Sequence, residues 1–430
     1  RKQWNFDGFI VTDYGAIKEM KAHGLGGDDV VTERAMNATV DMDMCSELYI
    51  SQLESLLEQK RVSQKQIADA CRRILQAKYR LGLFDDPYRY NDAERGKTEL
   101  FKTENREAAR KITASTFVLL KNESDLLPLA KKGKIALIGP MANNQSQLRG
   151  TWSVPSDHTL YTTIYDAMKQ RLEGQAEVRY AEGCHYSYDP VLEQRFLWND
   201  QPSERTHKQL FDEALATARW ADVVVAILGE AKEMTGEAAS MSDITMQASQ
   251  HDLLEALLKT GKPVVLLLAT GRPMVMKWEQ ENVPAIMNIW FPGSEAGDAI
   301  TDVLFGDVAP QGHLTTTWPQ NAGQLPIYYN HKNTGRPIGE NDYGKFTSGY
   351  LDVTNAPLYP FGYGLTYTTF EVSNIRLSSS EMTSNGSIEA TVTLSNTGKR
   401  EATTIVQLYT HDLAGSITRP VQELKGFQHV

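Results

Sequence analysis

Two stretches of the chain carry carboxylates where a carboxylate can do chemistry. The first is Gly8-Phe9-Ile10-Val11-Thr12-Asp13-Tyr14-Gly15-Ala16. Residues 9–11 read as a short buried strand, Asp13 falls where it ends, and Gly15 turns the chain away. Parallel β/α architectures keep their reacting side chains at the carboxyl ends of strands. The competing reading is a helix cap, since Asp is among the best N-caps and a helix is expected near 17–20. The second stretch, 229–240, follows the apolar run 223–228 and contains Glu230, Glu233 and Glu237. It reads as a long, flexible loop at the carboxyl edge of a parallel sheet, the usual ligand edge. Glu230 sits at the strand end, where a structural or hydrogen-bonding role is expected. Glu19, six positions after Asp13, competes for the second role if its segment forms a tight loop. Otherwise it faces outward from a short helix beside Lys18 or Lys21. Two carboxyl groups of this kind suit nucleophilic catalysis paired with general acid–base catalysis.

The elements that must position them alternate. After Asp13 a helix is expected near 17–21, then a glycine-rich surface loop over 23–29, a helix over 32–37 and a strand over 39–44. Leu53, Leu56 and Leu57 mark an amphipathic helix. Ser63-Gln64-Lys65-Gln66 is a capping box opening a helix whose apolar face is Ile67, Cys71, Ile74 and Leu75, which puts Cys71 in the core. Residues 86–112 are polar and read as a linker with some helix. Beyond them, strands are expected at 135–138, 177–180, 223–228, 264–268 and 285–290. Helices lie between, such as 249–260, ended by Gly261. Near-continuous apolar strands separated by helices imply a parallel sheet covered on both faces. The last part alternates: Ile388, Ala390, Val392 and Leu394 share a face, 396–399 turns, and 405–409 returns. That is an antiparallel β-sandwich module of the fibronectin III kind, read as a packing and spacing domain.

The totals narrow the function. A chain of 430 residues needs two or three domains. Its net charge of −10, with no basic stripe interleaved with aromatics, argues against nucleic acid. There is no apolar run long enough for a membrane span. Cys45, Cys71 and Cys184 lie apart and form no C-x-x-C pair, and the nine histidines show no H-x-x-x-H spacing, so no metal site is expected. Gly139-Pro140-Met141-Ala142 has neither Rossmann glycines nor a P-loop lysine, which argues against a nucleotide. Four N-x-Ser/Thr triplets are near the chance number, and no glycosylation is inferred. Residue 1 reads as lying late in a domain and Val430 as lying inside a strand-rich one, so the numbering is read as starting mid-protein.

The stretch 8–13 resembles the nucleophile signature of family 3 glycoside hydrolases, in the periplasmic or secreted bacterial β-glucosidase branch. Thr39-Val40-Asp41-Met42-Asp43-Met44 is similar to the next barrel strand of that family. Leu119-Leu120-Lys121-Asn122 with Leu126-Leu127-Pro128-Leu129 is similar to the linker into its second domain. Pro360-Phe361-Gly362-Tyr363-Gly364-Leu365 is similar to the entry to its third. The resemblance implies an α/β multidomain chain. The end of a (β/α)8-type barrel would occupy 1–85, a linker 86–112, and an α/β/α sandwich with a mostly parallel sheet 113–325. A connector over 326–367 and a truncated fibronectin III-like β-sandwich over 368–430 would follow. A whole barrel takes about 250 residues, so its remainder is expected upstream of residue 1.

The same resemblance implies that Asp13 attacks the sugar and that Glu237, in Gly236-Glu237-Ala238-Ala239-Ser240, is the acid/base, ahead of its competitor Glu19. A retaining pair works at about 5–5.5 Å separation, and the acid must be held protonated by burial or a neighbouring carboxylate. Tyr14, where many members have Trp, and Trp152 would be sugar platforms. The family's Asp, Arg and Lys-His grip on the bound sugar has no match here, so a 1–430 fragment is expected to be inactive alone. The implied reaction is retaining exo-hydrolysis of terminal non-reducing β-D-glucosyl residues from an oligosaccharide or β-glucoside, without cofactor. A homodimer is compatible with it. The alternatives are a β-xylosidase or other exo-β-glycosidase, and a carbohydrate-binding protein that keeps the scaffold without turnover.

Overall fold

The computed structural model describes residues 1–153, 157–198, 200–338 and 344–430. Its contacts divide the chain into Arg1–Lys102 and Thr103–Val430.

In Arg1–Lys102 the helices are α1 (Ala16–Glu19), α2 (Asp28–Asn37), α3 (Leu48–Glu58), α4 (Gln64–Arg80) and α5 (Arg95–Glu99). Ile17, Val31, Ala35 and Leu48 form one small core, and Met36, Leu56 and Val62 another. The strands expected at 9–11 and 39–44 shrink to one parallel bridge, Val11 to Met42. Val11 is 40 % exposed rather than buried. Each segment has only the other beside it among the described residues, and Thr39, at φ 66°, has left strand geometry. The loop expected over 23–29 gives its two acids to the first turn of α2, where the helix dipole favours them.

The capping box at α4 forms as expected: the Gln66 N–H donates to Ser63 Oγ and the Ser63 N–H donates to Gln66 Oε1. The apolar face is rotated from the expected one. Ala70 is buried and Ile67 packs on the Met36 core, whereas Cys71 and Leu75 are exposed. Cys71 is therefore not a core residue. The side of the helix that finds partners in this unit carries Ile67 and Ala70, with Arg73 reaching Asp41, and Cys71 lies off it.

In Thr103–Val430, α6 (Thr103–Thr116) leads into a six-stranded sheet. Its strands are β1 (Val118–Asn122), β2 (Gly133–Ile138), β3 (Ala176–Ala181), β4 (Val223–Gly229), β5 (Val264–Ala269) and β6 (Ala285–Asn288). The order is β1-β6-β5-β4-β2-β3, parallel except for β1, which runs antiparallel to β6. The helices between are α7 (Ile164–Arg171), α8 (Pro190–Leu197), α9 (His207–Trp220), α10 (Ala248–Leu258), α11 (Lys277–Asn282) and α12 (Ala296–Leu304). Alternate residues of the central strands feed two cores. Leu137, Ile227 and Leu267 face one side; Ile138, Leu228 and Leu268 face the other. Both faces being covered explains why these strands read as unbroken apolar runs. Residues 119–122, which match a linker by resemblance, lie in the edge strand β1.

The remaining strands are β7 (Phe370–Leu377), β8 (Ala390–Asn396), β9 (Ile405–Thr410) and β10 (Glu423–His429). β7 pairs with β8 and β9 with β10, all antiparallel. The return expected from β8 into β9 is not a hairpin. Residues 397–404 carry the chain from one two-stranded sheet to the other, as sandwich connections do.

Candidate active site

The candidate residues lie on both units, and each unit is built separately. Asp13 follows the parallel pair of segments. The Asp41 and Met42 N–H groups donate to the Ile10 carbonyl, the Thr12 N–H donates to Met42 O at 3.1 Å, and the Gly15 N–H donates to Met44 O at 2.8 Å. The Thr12 hydroxyl accepts the Met44 N–H at 2.9 Å. These bonds fix the backbone on both sides of Asp13.

The Asp13 carboxylate is exposed and accepts the N–H of its neighbour Tyr14 at 2.7 Å. It does not cap a helix: the N-cap of α1 is Gly15, and no side chain caps it. Tyr14 is 72 % exposed beside it. Glu19 is exposed on α1, and Lys21, one of its expected partners, instead pairs with Asp28 at 2.6 Å.

The base of this segment holds a residue that sequence reasoning passed over. Asp41 is 4 % exposed. It accepts from Arg73 Nε at 2.8 Å, from the Ile10 N–H at 2.8 Å and from the Arg1 guanidinium. One buried carboxylate thus joins the Asp13 strand, the following strand and α4. Its position in an apolar strand pattern was the available signal, since charges are seldom fully buried unless paired.

The second candidate lies in the loop after β4. Glu237 is exposed near its tip, so Thr103–Val430 alone does not supply the burial expected of a proton-holding acid. The loop is far from loose. At its start Glu230 is 3 % exposed; it accepts from Thr270 Oγ1 at 2.8 Å and from the Gly271 N–H at 3.1 Å, and pairs with Arg272 at 2.8 Å. Burial pushes the Glu230 carboxyl up, against the pull of Thr270 and Arg272.

The next turn is pinned by Lys232, itself 3 % exposed, whose Nζ reaches Ser146 Oγ at 2.7 Å and Asp200 Oδ2 at 3.1 Å. Burial would raise the Asp200 carboxyl, but the Ser146 hydroxyl and the Lys232 charge outweigh it and hold it low. Beyond Glu233, Gly236 sits at φ +100°, and a Cβ there would lie 2.0 Å from Thr151 Cγ2. Only glycine fits such a place. Trp152 follows Thr151 and is 74 % exposed, so it is not a core tryptophan of this unit. The structure therefore brings the Trp152 and Glu237 segments together. Arg272 was also passed over; its position just past the carboxyl end of β5, beside β4, was the signal.

Chemically, each unit presents an exposed carboxylate on a fixed backbone, with an aromatic ring on the same segment or an adjoining one. No group of three or more metal-ligating side chains converges among the described residues. No helix among the described residues is long and apolar enough to cross a membrane.

Comparison with known proteins agrees in register with these elements. Residues 1–77 match the glycosyl hydrolase family 3 N terminal domain, 117–367 the family 3 C-terminal domain, and 404–430 a fibronectin type III-like domain. The chain is 41% identical to a periplasmic beta-glucosidase of Salmonella typhimurium, covering 100% of this chain and 57% of that protein. It is 32% identical to a beta-xylosidase of Formosa agariphila, covering 100% and 58%. A solved beta-glucosidase from Listeria innocua, in complex with isofagomine, superposes with a TM-score of 0.87 at 35% identity, over 100% of this chain and 57% of that one. The chain thus spans little more than half the length of these relatives. With its N-terminal, C-terminal and fibronectin-like regions all matched in order, the chain belongs to glycosyl hydrolase family 3.

Proposed function

We propose that this chain supplies the nucleophile and the acid/base of an exo-acting retaining β-glycosidase that releases terminal non-reducing β-D-glucosyl residues. The observation that carries the reading is Asp13: a carboxylate exposed at the carboxyl end of a parallel segment, with both flanks fixed and no helix to cap. In the first step an Asp13 oxygen attacks the anomeric carbon while the bond to the aglycone oxygen breaks. Glu237 gives that oxygen its proton. In the second step Glu237 takes a proton from water, the water oxygen attacks the anomeric carbon, and the Asp13 carboxylate leaves. Two inversions leave the β configuration unchanged, and the two carboxyl groups suffice without metal or cofactor. Tyr14 and Trp152 are the proposed platforms for the apolar faces of the sugars.

The proposed division is 1–85 for the barrel end, 86–112 for the linker, 113–325 for the sandwich, 326–367 for the connector and 368–430 for the fibronectin-like module. The proposed location is periplasmic or secreted, following the periplasmic relative. A β-xylosidase is the second reading, favoured by the Formosa relative.

The test is a 2-fluoro-glucosyl fluoride, which forms the glycosyl-enzyme and slows its hydrolysis, applied to the full-length gene product. One adduct on the peptide containing Asp13 is expected. An adduct formed only with the 2-fluoro-xylosyl analogue would select the second reading. An adduct on another residue, or none with either reagent, would overturn the assignment of Asp13.

A further inference from the structure

We propose that Arg272 is a positioning residue for acid/base catalysis, the clamp that fixes the turn bearing Glu237; this rests on the role proposed above for Glu237. Arg272 lies just past β5, and its side chain crosses beneath the neighbouring loop. One guanidinium nitrogen donates to the carbonyls of both Met234 and Ala239, the latter at 3.1 Å. These carbonyls flank Glu237 on either side, so a single charged group closes the mouth of the turn whose outer part carries the candidate acid. The other end of the guanidinium is anchored. Nε lies 2.8 Å from Glu230 Oε1, as an ion pair without hydrogen-bond alignment, and Glu230 is itself held by Thr270 Oγ1 and the Gly271 N–H. The clamp thus ties the ends of β4 and β5 to the far side of the turn. The two loops also touch closely: a Cβ added to Gly271 would sit 2.8 Å from Thr235 Cγ2.

The chemistry calls for arginine. A planar fork can meet a carboxylate on one side and carbonyls on the other, whereas a lysine ammonium is a point charge that cannot span them. The Glu230 carboxylate, 3 % exposed, keeps the guanidinium fixed, and a fixed guanidinium keeps the turn in one shape. A proton donor must reach the leaving oxygen to within a hydrogen bond, so a turn that wanders by an ångström delivers its proton poorly.

The experiment separates positioning from folding by using the leaving group as the readout. Aglycones that leave unaided, such as 2,4-dinitrophenolate, need no acid, whereas an alkyl aglycone does. Arg272→Met, Arg272→Lys and the double variant Glu230→Gln/Arg272→Met are prepared in the full-length gene product beside Glu237→Gln. The double variant removes the carboxylate that the single one leaves buried without its partner, and thermal melting checks that each is folded.

The expected result is a fall in kcat/KM of about 10–100-fold on methyl β-glucoside for all three Arg272 variants, and of less than about threefold on 2,4-dinitrophenyl β-glucoside. Arg272→Lys should give no recovery beyond the Met variant. Equal losses on both substrates in a folded double variant, or no loss on either, would overturn the clamp. If Glu237→Gln shows the leaving-group dependence and the Arg272 variants do not, the clamp alone fails. If Glu237→Gln shows none, the acid/base assignment fails and the clamp falls with it.

Discussion

The two carboxylate-bearing segments are held by different means. Asp13 is fixed through the backbone: its flanks exchange hydrogen bonds with the segment ending at Met44, and the pair is locked from below by Asp41. Glu237 stands on a loop fixed by side chains, with Arg272 across the turn and Lys232 buried beneath its first limb. A strand end gives a group little freedom and little reach, which suits an attacking atom. A clamped loop gives reach, at the cost that its shape depends on a few charged side chains. Single side-chain losses should therefore disturb the two segments unequally.

The largest effect expected is at Asp13 itself. Asp13→Asn keeps the shape and removes the proposed nucleophile; kcat should fall by about 10⁴-fold or more. Steady-state assays on the full-length gene product, with circular dichroism unchanged, would measure it. Retention of more than about one part in a hundred of activity would be incompatible with a nucleophile, and would overturn the assignment of Asp13.

Asp41 tests whether the backbone-held segment has its own single point of failure. Asp41→Ala leaves the Arg73 guanidinium, with 22% of its side chain exposed, facing an empty site. Loss of one partner of such a buried pair costs about 3 kcal/mol. Hydrogen exchange at the Thr12, Met42 and Gly15 amides should then quicken, while the same amides should be unchanged in Arg272→Met. Unchanged exchange in Asp41→Ala would mean that the strand pairing alone holds Asp13.

The same contrast explains what could be read in advance. The parallel sheet was legible because strands covered on both faces write continuous apolar runs, and each expected strand from 135–138 to 285–290 appears with ends moved by a residue or two. The α4 cap was legible because its bonds are local. Cys71 was misplaced because a helical stripe gives a face but not which edge of it finds a partner. Burial of Val11 was overestimated because a strand's environment depends on neighbours far along the chain. The loop after β4 was located, but Arg272 and Lys232 were not singled out. Their partners lie 32 to 86 positions away, and a charged residue in a loop looks like solvent-facing charge until its partners are seen. Asp13 was legible as a candidate from its place after a strand; Glu237 needed the resemblance, since three glutamates share its loop.

A smaller effect is expected at Trp152, the proposed platform beside the loop that carries Glu237. Stacking geometry contributes about 0.5–1.5 kcal/mol beyond simple burial, so Trp152→Ala should raise KM about 2–10-fold for disaccharides. Trp152→Phe should recover most of it. Monosaccharide aryl substrates should be affected less if Trp152 covers the second sugar. An equal effect on both would move Trp152 to the first sugar.

The smallest effect concerns pH, and here one carboxyl in each unit should contribute with opposite sign. Glu193 on α8 is 6 % exposed; burial raises its carboxyl above the ordinary value, against the pull of the Ser187 N–H at 2.8 Å. A native state with a raised pKa binds more protons than the unfolded chain once pH exceeds the ordinary glutamate value. The Glu193 contribution to the stability of Thr103–Val430 should therefore fall as pH rises from about 4.5 through the native pKa. Glu193→Gln should remove the share of the slope that Glu193 contributes. In Arg1–Lys102, Asp29 is held low by its bond from Arg61, so its contribution is present at neutral pH and fades as pH falls through the acid range. That contribution is small because the pair is exposed. Urea midpoints of wild type and Glu193→Gln between pH 4.5 and 7 would show the difference. Parallel midpoints across that range would mean that the Ser187 bond cancels the cost of burying Glu193.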